Sequence, residues 1–435
     1  MMPTPLVGAV GVLALMVILI AGVPIGVALG ITGFLGLWWL LGLEPALIKS
    51  GVLVFQTLSR YELGVLPLFL FMAHVCFAAN ASRDFFDAAA RFLGHRRGGL
   101  ALASVGACAG FGAVSGSSLA TAATIGLVAL PEMRKRGYSD ALATGAVAAG
   151  GTLGQAVPPS GALIIFGIVA EQSIGKLFTA AIVPAVLQTF LYFMAIAVVC
   201  RVRPAVAPAM PRASWSERGR ALLRIGDFSL LVALVIGGIA AGWFTPSEAA
   251  SVGSVGALIL CAWRRRLTWR ALANALTETL RTSGMIYVVL IGALIFSVFI
   301  SLSGVTGVVS GLLALAGGKP LATMLLVAVV LLLLGSLLDG LALMLLTTPI
   351  LLPIVEGLGL SPVWFGIFLV RAMEVGFVHP PIGMNLYVIQ GIVPDVPLGR
   401  IFKGVLPFLA TDFIHLLLLI LIPAIALALP HALGQ

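Results

Sequence analysis

The sequence has few charged residues. Only 9% of its 435 residues are Asp, Glu, Lys or Arg, against about 25% in an ordinary soluble protein. Hydrophobic residues make up 60%, and the mean hydropathy is +1.16. Because one helical crossing of a bilayer needs about 20 apolar residues, the chain has room for ten or more crossings. This composition excludes a soluble enzyme and predicts an all-α polytopic membrane protein.

Cysteine is also scarce, and no motif for a cofactor is present. Cys76, Cys108, Cys200 and Cys261 lie in or at the ends of apolar segments, without a Cys-x-x-Cys pair. We interpret them as small core residues rather than transition-metal ligands. The sequence GGKP at 317–320 lacks the G-x-x-x-x-G-K-[ST] spacing of a phosphate-binding loop. We therefore expect no cofactor and no use of ATP.

The formal net charge is +9, but the 25 basic residues are spread along the chain. They do not form the basic face that nucleic-acid binding needs, so nucleic acid is not an expected partner. Lys and Arg concentrate in the cytoplasmic loops of membrane proteins. Residues 201–227 contain six arginines and three prolines, which predicts an exposed cytoplasmic connector between a first half, 1–200, and a second half, 228–435.

The two halves show an internal repeat at an offset of 222 residues. Four of the six prolines between residues 24 and 161 meet a proline of the second half: Pro24 and Pro246, Pro131 and Pro353, Pro158 and Pro380, Pro159 and Pro381. The stretches equivalent to the basic clusters at 91–97 and 134–136 offer only Lys319 and Glu356, and the stretch equivalent to the cluster at 264–266 contains no basic residue. Equivalent loops therefore lie on opposite sides of the membrane, which indicates inverted-topology repeats.

A consistent topology follows if residues 98–130 and 320–353 are re-entrant hairpins. Each half then has five crossings, about ten in all, the basic clusters are cytoplasmic and both termini are periplasmic. Two full spans per hairpin would give the same sidedness elsewhere, so charge does not decide between them. Residues 46–60 and 268–282 are predicted to be arm helices at the membrane interface, or else ordinary connecting helices.

Polar and helix-breaking residues of the first half predict an ion site. The hairpin carries Ser115, Gly116, Ser117 and Ser118 in succession, and irregular backbone at membrane depth must line protein or a polar cavity. In the segment 139–171, the sequence GGTLGQAVPPSG contains a double proline, which breaks a helix and frees carbonyl groups. Such carbonyls suit Na+, while the following half-helix favours an anion. The alternative is a plain proline kink.

The second half has equivalent features. Asp339 occupies the hairpin position of Ser117, among leucines, and an intramembrane carboxylate is a functional-site hypothesis by default. The segment 363–392 contains a second broken helix with the sequence VRAMEVGFVHPPIGMN. Arg371 and Glu374 stand at i, i+3 and either serve the site or neutralise one another. His379 precedes the double proline, and Asn385 follows it.

Seven segments resemble, in order, segments of the large membrane subunit of tripartite ATP-independent periplasmic (TRAP) transporters. They are VLPLFLFMA, GAVSGSSLATAATIG, LPEMRKRGYS, GGTLGQAVPPSG, TPSEAA, LLDGLALMLLTTPILLP and EVGFVHPPIGMNL. The resemblance covers essentially the whole chain. It implies a sodium-driven elevator in the bacterial inner membrane, a small four-helix membrane subunit as partner, and a periplasmic binding protein that delivers an organic acid.

The resemblance also implies the ligands. The sodium ligands would be Ser115, Gly116, Ser117, Gly154 and Pro158 in the first half, and Gly335, Asp339, Gly376 and Pro380 in the second half. The substrate would lie between the two sets, near Ser118, Pro159, Ser160, Gly340, Arg371, His379 and Asn385. The family commonly has Thr at the position of His379, so the second ion site and the substrate preference depart from its pattern there.

Two other functions remain open at this point. A related transporter with inverted repeats would move ions and carboxylates without a binding protein. An intramembrane serine protease would use Ser115 as nucleophile and His74 or His379 as base, and it needs the serine within hydrogen-bond reach of that base. No enzyme activity is expected, because a protease would leave the second repeat without a purpose.

Overall fold

The computed structural model describes residues 4–314, 320–336, 338–380 and 382–434, and all regular structure in these ranges is helical. Pro381 and part of the GGKP segment lie outside the described residues. The described helices of the first half are α1 Thr4–Ile20, α2 Ile25–Leu41, α3 Leu43–Leu58, α4 Val65–Ala78, α5 Ala81–Leu93, α6 Gly99–Ser115, α7 Ser118–Lys135, α8 Asp140–Ala156, α9 Gly161–Val169 and α10 Ile174–Val202.

The second half follows the same order of elements. Its described helices are α11 Trp215–Ala240, α12 Pro246–Trp263, α13 Trp269–Ser303, α14 Val305–Ala314, α15 Pro320–Gly335, α16 Gly340–Gly357, α17 Pro362–Gly376, α18 Met384–Ile392, α19 Leu398–Leu421 and α20 Ala424–Ala432. Between α2 and α10, nearly every helix of the first half has an equivalent between α12 and α19 that begins about 222 residues later, to within a few residues.

Equivalent residues also start equivalent helices. Ser139 caps α8 by accepting a hydrogen bond from the Leu142 amide at 3.4 Å, and Ser361 caps α17 by accepting one from the Trp364 amide at 3.5 Å. A serine at this position satisfies an amide that the first turn of a helix leaves free. The repeat is therefore visible in local structure as well as in sequence.

Several helices are long and apolar enough to cross a membrane. Within the described residues there are six such helices, or seven spans if α8 and α9, which are bent by 43° at their break, count as one. Shorter apolar helices of 16 or 17 residues are α1, α2, α6 and α15. The chain is thus a helical multi-pass membrane protein, and the figure of about ten crossings stays a prediction.

The second arm helix differs from the prediction. Residues 268–282 are not followed by a break, because α13 runs without interruption from Trp269 to Ser303. In the first half, α3 ends at Leu58 and α4 begins at Val65, shortly before Pro67. Pro67 cannot donate to the preceding turn and its ring clashes with it, whereas Val289 at the equivalent position continues the helix.

The two halves pack against each other reciprocally. Helix α2 packs on α13 while α12 packs on α4; α8 packs on α19 while α17 packs on α10; α7 packs on α18 while α16 packs on α9. In each pair of contacts, every helix of the first contact is replaced in the second contact by its equivalent from the other half. This is the pattern that a pseudo-two-fold relation between the repeats produces.

The two broken helices run in opposite directions. Arg134, before α8, binds Asp140 at 3.1 Å and also binds Asp395, which follows α18. Arg400 reaches Asp140 at 3.4 Å. The hydrogen bond from Arg134 lowers the pKa of Asp395. The start of the first broken helix and the end of the second therefore share one end of the protein, as inverted repeats require.

Candidate functional site

The tip of the first hairpin is a two-residue turn between α6 and α7. Gly116 has φ +59°, a left-handed conformation that glycine adopts without strain. Ser117 then caps α7 by accepting a hydrogen bond from the Ala120 amide at 3.4 Å. The Ser115 and Thr121 hydroxyls lie 2.6 Å apart. The turn thus gathers several hydroxyl and carbonyl oxygens.

The break between α8 and α9 lies against this tip. The Gly161 amide donates to the Gly116 carbonyl at 3.4 Å. A Cβ on Gly154 would lie 2.6 Å from the Ser117 carbonyl oxygen, so only glycine allows this approach. Because Pro158 has no N–H, the Gly154 carbonyl loses its usual helical partner. The residues expected to bind the first sodium are therefore neighbours in the fold.

The second half repeats this construction. Asp339 caps α16 by accepting a hydrogen bond from the Leu341 amide at 3.1 Å, where the positive end of the helix dipole favours a carboxylate. A Cβ on Gly376 would lie 2.6 Å from the Gly335 carbonyl oxygen. Since Pro380 lacks an N–H, the Gly376 carbonyl is freed as well. The structure thus brings Gly335 and Gly376 together beside the tip that carries Asp339.

A direct hydrogen bond joins the two halves between these tips. Ser118, the first residue of α7, lies 3.0 Å from the Asn385 amide nitrogen, which also donates to the Ala148 carbonyl at 3.0 Å. Ser118 and Asn385 are fully buried. Both were expected near the substrate, and the fold places them in contact although 267 residues separate them.

Two inverted repeats, each with a hairpin packed on a broken helix, describe a secondary transporter. The family model of the tripartite ATP-independent periplasmic transporter, DctM component, matches residues 12–425. The C4-dicarboxylate TRAP transporter large permease protein DctM of Pseudomonas aeruginosa is 34% identical over 94% of this chain and 95% of its own length.

The chain belongs to the DctM family.

Two further likenesses fit this TRAP large permease. The isethionate TRAP transporter permease protein DctMQ of Oleidesulfovibrio alaskensis is 33% identical over 94% of this chain and 64% of its own length. The crystal structure of the Alcanivorax borkumensis YdaH transporter has a TM-score of 0.57 at 17% identity, covering 87% of this chain and 88% of that one. The second likeness concerns the fold alone. The relatives are permeases rather than enzymes, which removes the serine protease from consideration.

The remaining site residues of this DctM chain lie around the breaks. Ser160 is fully buried, and its hydroxyl has no hydrogen-bond partner among the described residues. Pro159 contacts the first tip, because its carbonyl lies close to Gly116. Gly340 packs against α17 at Met373. These positions are compatible with a site at the meeting point of the two hairpins and the two breaks.

Pro380 is the exposed member of the set, and it follows His379 directly. His379 is half-buried, with its ring 6.1 Å from that of Phe413 in an edge-to-face arrangement. Its Nδ1 atom is buried and has no hydrogen-bond partner within the described part of the chain. The imidazole therefore retains a polar atom for a ligand.

Arg371 differs from the other expected substrate ligands, because carboxylates of the protein occupy its guanidinium. It donates to Glu374 at 2.7 Å and to Asp412, and all three side chains are buried. The neutralising i, i+3 pair considered from the sequence is thus present in the structure. Asp412 was missed, although the rule that singled out Asp339, a carboxylate within an apolar segment, applies to it equally.

Proposed function

We propose that this TRAP large permease imports a small organic acid by sodium-coupled elevator transport. The observation that supports the proposal best is the duplicated site. Each half places a polar hairpin tip against a helix broken by proline, and Ser118 and Asn385 join the two sites. In transporters, broken helices at a repeat interface bind coupling ions with their carbonyls and anions with their half-helix N-termini.

The donor sets suit Na+. The first site offers the Ser115 hydroxyl and the carbonyls of Ser117 and Gly154; the second offers the Gly376 carbonyl and the Asp339 carboxylate. Hard cations prefer oxygen ligands of these kinds. Sodium binding would neutralise the Asp339 charge and replace the hydrogen-bond partners that the proline breaks remove. Loading of both sites would therefore order the tips around the substrate.

The substrate class is argued from charge. The Pseudomonas relative is named for C4-dicarboxylates and the Oleidesulfovibrio relative for isethionate, a sulfonate, and both ligands are small organic anions. In this chain, the N-termini of α9 and α18 face the junction of the two sites, where helix dipoles stabilise negative charge. A carboxylate substrate would thus interact with helix N-termini, with Ser160 and with the His379 imidazole.

The elevator motion is argued from a crevice. A cavity of about 780 Å³ is lined by residues of α5, α6, α10 and α11, and it reaches Pro158 at the first break. Its lining is almost entirely apolar, so lipid chains can fill it while one body slides past the other. The hairpins, the broken helices and α10 would form the moving body.

The partners follow from the family. A tripartite transporter combines this large permease with a small membrane subunit and a periplasmic substrate-binding protein. This chain covers only 64% of the DctMQ relative, which leaves room in that relative for a small subunit fused to the large one. We propose a location in the bacterial inner membrane with both termini periplasmic and the ends of α7 and α18 cytoplasmic.

Sodium binding tests the proposal without knowledge of the substrate. Purified protein is heated in sodium chloride or in potassium chloride at equal ionic strength, and the unfolding temperature is measured. A ligand that binds only the folded state raises that temperature, so stabilisation by sodium and not by potassium is expected. Equal stability in the two salts would contradict the ion sites. Dependence of uptake on the binding protein separates a TRAP transporter from the alternative that works without one.

A further inference from the structure

A chain of buried polar side chains connects the two broken helices. We call it the bridge network; its members are Thr152 of α8, Gln188 and Tyr192 of α10, Arg371 and Glu374 of α17, and Asp412 of α19. All six residues are buried, at 3% exposure or less. Buried polar groups within a membrane are costly unless they bind one another, so their presence calls for a role.

The Tyr192 hydroxyl is the centre of the bridge network. It lies 3.1 Å from the Thr152 hydroxyl, donates to Asp412 at 2.7 Å and is 3.5 Å from the guanidinium of Arg371. Gln188 donates to the same Asp412 oxygen at 2.7 Å. The ring of Tyr192 packs edge-to-face on Phe408, with the centroids 5.5 Å apart. The hydroxyl is therefore held in one position.

From Tyr192 the bridge network continues to the second broken helix. Arg371 donates to both Asp412 and Glu374, the latter at 2.7 Å. In a low-dielectric interior, the hydrogen bonds of such a network polarise and strengthen one another, and they link the helices that carry the side chains. A displacement of α8 is thus transmitted to α17 through bonds rather than through loosely packed apolar contacts.

The end points of the bridge network are equivalent in the repeat. Thr152 and Glu374 are 222 residues apart, and each stands two residues before the glycine, Gly154 or Gly376, whose carbonyl a proline break frees. The bridge network therefore connects the same point of both proposed sodium sites without contributing a ligand to either.

We infer that the bridge network couples the two sodium sites, so that binding of one ion tightens binding of the other, and that Tyr192 is the positioning residue on which this coupling depends. The inference rests on the proposed sodium sites. Ion binding at the first break fixes the end of α8, the bridge network fixes the end of α17, and the second ion then meets a preformed site. Couplings between sites commonly amount to roughly 5- to 150-fold in affinity.

The experiment is a sodium titration of thermal stability with Tyr192→Phe, which removes the central hydroxyl and leaves the ring. The matched control is Tyr287→Phe, since the Tyr287 hydroxyl donates to the Leu63 carbonyl at 3.0 Å in another part of the fold. Potassium keeps the ionic strength constant throughout. A second variant, Thr152→Val, cuts the bridge network at its α8 end if Tyr192→Phe does not fold.

The expected result is a Hill coefficient above one in the wild type and in Tyr287→Phe, falling to about one in Tyr192→Phe and Thr152→Val while sodium still stabilises them. An unchanged Hill coefficient in these two variants would overturn the inference, and so would a coefficient of one in the wild type. Absence of any sodium effect in the wild type would instead refute the proposed sodium sites.

Discussion

Gly154→Ala probes the contact between the first hairpin tip and the first broken helix. The added Cβ would lie 2.6 Å from the Ser117 carbonyl oxygen and 2.7 Å from the Thr121 Cβ, and real Cβ atoms essentially never come within 3.0 Å of such atoms. The tip must therefore move away from the break. Overpacking of this kind typically costs about 1–3 kcal/mol.

The displacement changes the positions of the Ser117 and Gly154 carbonyls, which are proposed ligands of the first sodium. If sodium binding has to restore the displaced tip, the same 1–3 kcal/mol raises the sodium concentration for half-maximal stabilisation by roughly 5- to 150-fold. The assay is a sodium titration of the unfolding temperature at constant ionic strength. The matched control is Gly161→Ala, at the first residue of α9 on the other side of the same break. Its Cβ would meet only the Gly116 carbonyl oxygen, at an ordinary contact distance of 3.8 Å.

The two variants separate the argument from a general effect of alanine. Gly161→Ala is expected to keep the wild-type sodium midpoint. The reasoning is refuted if Gly154→Ala also keeps that midpoint, or if both variants shift it equally.

Three further changes test other parts of the account. Asp339→Asn removes the carboxylate at the second tip and is expected to weaken sodium stabilisation, measured by the same titration; an unchanged midpoint would exclude this carboxylate as a ligand. Because Arg134 lowers the pKa of Asp395, the stability that Asp395 adds is present at neutral pH and lost as the pH falls below the ordinary aspartate value of about 3.9. Thermal unfolding should thus show wild type and Asp395→Asn converging in acid, and a constant difference would contradict this. Ser118→Ala deprives the Asn385 amide of a buried partner, which typically costs about 1–3 kcal/mol; a calorimetric scan without a lowered unfolding temperature would contradict the contact.

Much of the helical order could be predicted from residue types alone. The expected hairpin at 98–130 corresponds to α6 and α7, Gly99–Lys135, and the expected broken helix at 363–392 to α17 and α18, Pro362–Ile392. Glycine, serine and proline leave strong local signals, since they decide where a helix stops and which carbonyls lose a partner. The continuity of α13 was not predicted, although the replacement of Pro67 by Val289 at the equivalent position was a signal for it.

The contacts of the site could not be predicted in the same way. Ser118 and Asn385 were each singled out, but the hydrogen bond between them depends on how α7 packs on α18. The resemblance placed Arg371 near the substrate, with neutralisation by Glu374 as the alternative; its second carboxylate partner, Asp412, lies 41 residues further on in another helix and was not anticipated. Local patterns identify polar residues in apolar surroundings, whereas tertiary packing decides which of them bind each other and which remain free for a ligand.

Uptake into proteoliposomes tests the central claim, sodium-coupled transport, most directly. The large permease is reconstituted with its small subunit, and its binding protein, loaded with a radiolabelled ligand found by thermal-shift screening of organic acids, is added outside. The account predicts that an inward sodium gradient drives uptake without ATP, and that replacing sodium by potassium or omitting the binding protein abolishes it. Equal uptake in sodium and potassium would contradict the account.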